Sequence, residues 1–166
     1  MKRIVYISLI VCICAFSYYL CRNNSCDPQI IGMATIQDID TQDILTISMD
    51  KNLICYPIIG NGVMQFYRSY KFYNKTGVNI DISWSTWLEL SVDGIWYKMS
   101  TPKYSNDSGL IASTWRAYPG NTYEYVGDYL SAWRSQLKPG KYRRVWTAYF
   151  ESDEIPFYAA VEFIVI

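Results

Sequence analysis

Residues Trp87 to Met99 read WLELSVDGIWYKM, two β-rich runs with Asp93-Gly94 between them. A two-residue turn that keeps the twist of its flanking strands needs positive φ at its central residues, and Asp-Gly adopts that backbone cheaply. The stretch therefore predicts a hairpin whose arms are Trp87–Val92 and Ile95–Met99. Upstream, Gln65 to Asn74 (QFYRSYKFYN) reads as a strand closed by Asn74-Lys75-Thr76-Gly77. Before it, Leu45, Ile47 and Met49 alternate with Thr46 and Ser48, the period of a strand with one buried face. Downstream, Leu110–Trp115 and Thr122–Val126 flank a Tyr118-Pro119-Gly120-Asn121 turn, and Lys141–Phe150 and Tyr158–Ile166 flank an acidic loop, Glu151 to Pro156. Asp128 to Gln136 (DYLSAWRSQ) has room for one or two helical turns, with Tyr129 and Trp133 on one face at i and i+4. Seven to nine short strands, and no long helix after the N-terminal segment, give an all-β class. The expected architecture is two packed antiparallel sheets, a β-sandwich preceded by an N-terminal apolar helix.

The 166 residues suffice for one domain of ordinary size. Sixteen tyrosines, six tryptophans and six phenylalanines make this a strand composition. There is no histidine, which excludes Ser-His and Cys-His catalytic pairs and imidazole metal sites within one protomer. Basic and acidic residues balance at 15 each, and setting aside Lys2 and Arg3 leaves 13 against 15. No basic field exists to neutralise phosphates, so no nucleic-acid partner is expected.

Met1 to Arg3 form a basic start, Ile4 to Cys14 are apolar apart from Ser8, and Ala15-Phe16-Ser17 offers small residues to a signal peptidase. The segment reads as an export signal, placing the domain on the extracytoplasmic side, at the cell membrane or the outer envelope face. Three fates stay open. The uncharged stretch from Ile4 to Leu20 is long enough to remain as an anchor, with Lys2 and Arg3 inside. Cys21 or Cys26 offers a lipidation site as in bacterial lipoproteins, although neither follows a regular Leu-small-small pattern: Tyr18-Tyr19-Leu20 precedes the first and Asn23-Asn24-Ser25 the second. Cleavage without lipidation would release the domain. The chain thus divides into 1–21, signal peptide or anchor; 22–29, a polar spacer; and 30–166, the sandwich domain. Export also permits a Cys26–Cys55 disulfide, while the plainer reading of Cys55 within Leu53-Ile54-Cys55-Tyr56 is a small buried apolar residue.

Leu137-Lys138-Pro139-Gly140-Lys141-Tyr142 carries its own physical reading. Pro139 and Gly140 set a tight turn, and Tyr142 begins the next strand with a hydroxyl able to reach upstream backbone, the logic of a tyrosine corner formed by Leu137, Pro139, Gly140 and Tyr142.

The order of these features resembles the bacterial immunoglobulin-like domains found in exported proteins and lipoproteins of unassigned function. The Asp-Gly turn followed by Gly94-Ile95-Trp96-Tyr97-Lys98-Met99, the Pro119-Gly120-Asn121-Thr122 turn, and Leu137-Lys138-Pro139-Gly140-Lys141-Tyr142-Arg143 carry the likeness, which runs from Tyr67 to the end of the chain. The resemblance implies an immunoglobulin-like fold and no catalytic residues. The N-terminus departs from it, since the lipoprotein signal usual among such proteins is irregular here.

Asp128, Glu151, Asp153, Glu154 and Glu162 are the acids available for glycoside hydrolysis, but Glu151, Asp153 and Glu154 share one loop beside Pro156, where a solvated turn is the plain reading and a divalent-cation site the sharper one. Nucleophile elbows, phosphate-binding glycine loops and Cys-x-x-Cys pairs are absent. Lys141, Arg143 and Arg144 cluster at a strand start, where alternation sends the two arginines to opposite faces and favours a solvated edge over an anion site. Trp96 and Trp146 have the positions of inward residues. Trp84, Trp115 and Trp133 are the candidates for exposed binding aromatics. The expected function is a non-catalytic extracytoplasmic structural or binding module with no cofactor and no metal. Its alternatives are a proteinase inhibitor using Tyr118–Asn121 or 103–109, and a carbohydrate-binding module with at least two coplanar exposed rings.

Overall fold

The computed structural model describes residues 28–39, 43–54, 67–100, 114–128, 130, 133 and 136–166. Among them ten strands form two sheets and no long helix occurs: β1 (Ile30–Met33), β2 (Leu45–Met49), β3 (Leu53–Ile54), β4 (Tyr67–Asn74), β5 (Ile80–Val92), β6 (Ile95–Met99), β7 (Thr114–Ala117), β8 (Thr122–Asp128), β9 (Gly140–Phe150) and β10 (Phe157–Val165). The chain is all-β. The strand count exceeds the seven to nine expected because β1 and β3 are too short to show a period, four and two residues respectively.

The spine of the larger sheet is β5. One edge pairs with β9, and the other takes β7 along its first half and β6 along its second. The hairpin of β5 and β6 turns at Asp93 and Gly94, with φ of 52° and 82°, and closes with Val92 opposite Ile95. The strand begins at Ile80, upstream of the expected Trp87, because a register shift hides it: Ile82 faces Ala148 but Thr86 faces Trp146. Two extra residues bulge out there. An even insertion leaves the parity unchanged, so Ile80, Ile82, Leu88 and Leu90 all face one side. The sheet runs β1-β6-β5-β9-β10-β3, with β7 beside β5. Its β10–β3 pairing is parallel, a departure from the purely antiparallel sheets expected.

The smaller sheet, β2-β4-β8, packs on the larger through one apolar cluster. Leu45, Tyr70 and Phe72 meet Ile80, Ile82, Trp146, Ala148 and Ala159, with Trp146 taking the edges of Tyr70 and Phe72 at 5.3 Å each. A second cluster continues along the same face of the larger sheet, where Leu88, Met99, Tyr142 and Phe163 are covered by Leu130, Trp133 and Leu137. Trp133 N donates to Leu130 O at 3.0 Å and Leu137 N to Trp133 O at 2.9 Å, which ties together the three residues whose side chains face inward. Arg144 lies on β9 between Tyr142 of one cluster and Trp146 of the other. It is 2% exposed, holds Thr86 Oγ1 at 2.8 Å, and spreads over the Tyr70 and Trp146 rings.

Two buried polar side chains fix the loops. Asn74 donates through Nδ2 to Val78 O and Ala117 O, each at 2.8 Å, and accepts from Thr76 N and Oγ1. Tyr142 Oη donates to Lys138 O at 2.9 Å and accepts from Lys138 N at 3.0 Å, which joins the start of β9 to the turn before it. Gly140 sits close by, where an added Cβ would come within 3.3 Å of Leu90 Cδ1.

Candidate functional site

The three tryptophans proposed as exposed binding aromatics separate. Trp133 is a core residue, 6% exposed, with its Nε1 donating to Ser100 O at 3.2 Å, and it packs with Leu130 and Leu137 against the larger sheet. Trp84 and Trp115 come together, half-buried, with Tyr123 and Tyr125 where β7 meets β8. Trp115 stacks on Tyr123 at 4.2 Å, Tyr125 meets Trp84 edge-on at 5.0 Å, and Phe72 supports Trp115 from the core. Trp84 and Trp115 are inclined at 50° to each other, so the rings close the gap between the sheets on one another's faces instead of lying side by side as a flat platform.

The acidic loop is equally occupied. Glu151 binds Arg116 and Asn79, and Arg116 also grips Asp81 through Nε and Nη2. The Asp81 hydrogen bond holds the Arg116 guanidinium above its ordinary range. Asp153 caps Ile155 N at 2.9 Å. No group of three or more metal-ligating side chains occurs among the described residues.

The face of the larger sheet turned away from the smaller one carries a different arrangement. Here Arg143 and Trp96 correct two expectations. Arg143 is 3% exposed, not at a solvated edge. Trp96 is buried, but on this outer face beneath Arg143, whose guanidinium lies 4.4 Å from the ring centre. Both are covered by the segment 34–39, which leaves β1 and crosses the sheet as a strap. Ala34 N donates to Trp96 O, Gln37 Oε1 accepts from Trp96 N, and Gln37 Nε2 donates to Ala34 O. Farther across, Arg143 Nη1 donates to Gln37 O at 2.8 Å and Nη2 to Ile36 O at 2.5 Å.

Glu89 sits at the centre of this face, opposite Lys98 on β6 and Arg143 on β9 in the strand register. Arg143 Nε donates to Glu89 Oε2 at 2.6 Å, and Trp87 Nε1 donates to Glu89 Oε1 at 2.7 Å. Beside this pair a cleft of about 260 Å³ opens between the strap and the sheet, lined by Thr35, Ile36, Ile39, Trp87, Lys98 and Tyr158, with Glu89 and Thr147 at its floor. Trp87 and Tyr158 meet edge-to-face at 5.7 Å, and Lys98 Nζ stands 4.7 Å from the Trp87 ring centre. A second cleft of about 280 Å³ shares Ile39 and includes Arg143 and Glu162. Glu162 there is paired with Lys141 at 2.7 Å.

Sequence reasoning missed this face. Alternation within β5 does turn Glu89 away from Leu88 and Leu90, but nothing local shows that β9 brings an arginine to it or that the 30s cover it. Of the other sites read from sequence, Cys21, Cys26, Cys55, the N-terminal apolar segment and the 103–109 loop lie outside the described residues. The Tyr118–Asn121 turn is described: Gly120 has φ 69° and its N–H donates to Asn74 O at 2.9 Å. Among the described residues no helix is long and apolar enough to cross a membrane.

No protein-family model matches the chain, and no curated protein matches it.

Proposed function

We propose that the chain is a non-catalytic, immunoglobulin-like binding module on the extracytoplasmic side of the cell envelope, delivered by its N-terminal segment. One observation carries the reading: the cleft between strap and sheet offers recognition groups while its single acid is fully engaged. Both Glu89 oxygens already accept hydrogen bonds, from Arg143 and Trp87, so no carboxylate there is left to move a proton. Aromatic faces, two hydroxyl-bearing threonines and a lysine remain, which is the make-up of a binding cleft. The two-sheet arrangement supports the immunoglobulin-like assignment, and the apolar N-terminal segment supports export.

Labelling of intact cells with a membrane-impermeant amine reagent tests the location, read at the exposed Lys71 and Lys75. Modification before lysis is expected, and protection until lysis overturns the envelope reading. Assay of the purified chain against ester, peptide and glycoside substrates tests the rest. Turnover that is lost in Glu89→Gln would overturn the non-catalytic reading.

A further inference from the structure

We propose that the cleft binds a small carboxylate borne on an apolar body, with the carboxylate on Lys98 and the body against Trp87, Tyr158, Ile36 and Ile39. The proposal rests on reading the chain as a binding module, and it assigns that module's ligand class. The sign of the ligand follows from the charges. Glu89 is matched by Arg143, with side chains 4% and 3% exposed, whereas Lys98 is exposed and forms no ion pair among the described residues. With Glu89 neutralised by Arg143 behind the lining, Lys98 is the one lining charge without an ion-pair partner among the described residues, which suits a monoanion; a phosphate would call for an arginine fork or several cations.

The walls set the rest. Ile36 and Ile39 from the strap face the Trp87–Tyr158 pair from the sheet, so whatever carries the charge is apolar and flat enough to lie along an aromatic edge. The volume of about 260 Å³ falls below the roughly 300–1,000 Å³ of drug-sized sites, which limits the guest to a small acid or one terminal residue of a peptide. The walls are also pre-positioned. Arg143 holds the strap by two of its carbonyls and Glu89 fixes Trp87, so binding orders little that is not already ordered.

The test uses the detergent-solubilised full-length chain, titrated calorimetrically with 3-phenylpropionate, its amide, and a phenylalanine-terminated tripeptide with free or amidated C-terminus. The free acids are expected to bind about tenfold more tightly than their amides, from loss of one charge-assisted hydrogen bond. Lys98→Met should erase that difference and Lys98→Arg should keep it, with melting temperature unchanged in both because Lys98 is exposed. Binding of 3-phenylpropionate alone assigns a small acid, binding of the tripeptide alone a chain terminus, and binding of both the carboxylate-on-apolar-body chemistry they share; each upholds the proposal. Equal binding of acid and amide, a preference that survives Lys98→Met, or no saturable binding of any probe overturns it. Intact-cell labelling and substrate turnover do not depend on Lys98, so failure here is distinct from failure of the binding-module reading.

Discussion

Glu89 and Arg143 face each other across β5 and β9 at 2.6 Å, and the strap seals the pair from solvent. Removing both charges from water is costly, and their mutual attraction repays it only with full hydrogen bonding. Here that condition is met: Arg143 adds two strap carbonyls and Glu89 adds the Trp87 indole. Arg143→Met alone should leave a buried carboxylate and cost about 3–5 kcal/mol. Adding Glu89→Leu should recover much of that loss. A double-mutant cycle by urea denaturation checks it, and additive losses would contradict the coupling.

Tyr142→Phe removes only a hydroxyl, yet that hydroxyl both donates to and accepts from Lys138 backbone. The expected loss is about 1–2 kcal/mol. Calorimetric unfolding reads it directly, and an unchanged melting temperature would mean that water replaces the bond without loss.

Both central residues of the β5–β6 turn have positive φ. Gly94→Ala meets no atom within 4 Å, so any loss is backbone strain alone, about 1 kcal/mol. Asp93→Asn, a residue equally at ease there, should be nearly neutral. If Gly94→Ala matched the parent in urea, the turn would have to relax to another type.

Asn74 is 0% exposed, and its side chain makes four hydrogen bonds. Asn74→Ala takes the Nδ2 donor from the Ala117 and Val78 carbonyls, of which only Val78 O keeps a second side-chain donor in Thr76 Oγ1, and should cost about 1–3 kcal/mol. Asn74→Asp should be no better, since a carboxylate oxygen would face those carbonyls where the amide donated. Rescue by aspartate would show that the Thr76 bonds alone matter.

What the sequence makes legible is local. The Asp93-Gly94 turn, the Leu45–Met49 alternation and the run of β9 are set by neighbours in the chain, and each stands where its pattern puts it. What fails does so for want of distant partners. Trp133 reads as a surface ring because local spacing does not tell which face meets the larger sheet; its neighbours in the core, Leu88, Met99, Tyr142 and Phe163, are distant in sequence. Arg143 and Arg144 read as solvated because two adjacent arginines seldom both lie buried; each finds its cover in elements far along the chain, Thr86 for one and the strap for the other. The strap itself, Ala34-Thr35-Ile36-Gln37-Asp38-Ile39, has no strand or helix period, so its place over the sheet has no sequence signature.

The strap also imposes an order of assembly. Ile36 and Arg143 stand 107 residues apart, and the hydrogen bond between them closes almost the whole domain into one loop. The Ala34 and Gln37 contacts with Trp96 need only β6, but the carbonyls of Ile36 and Gln37 reach Arg143 only after β9 has been made and paired. Until then the Glu89 carboxylate has no arginine beside it. The same segment that walls the cleft is therefore a late-closing latch, and the outer face is finished only once β9 is in place.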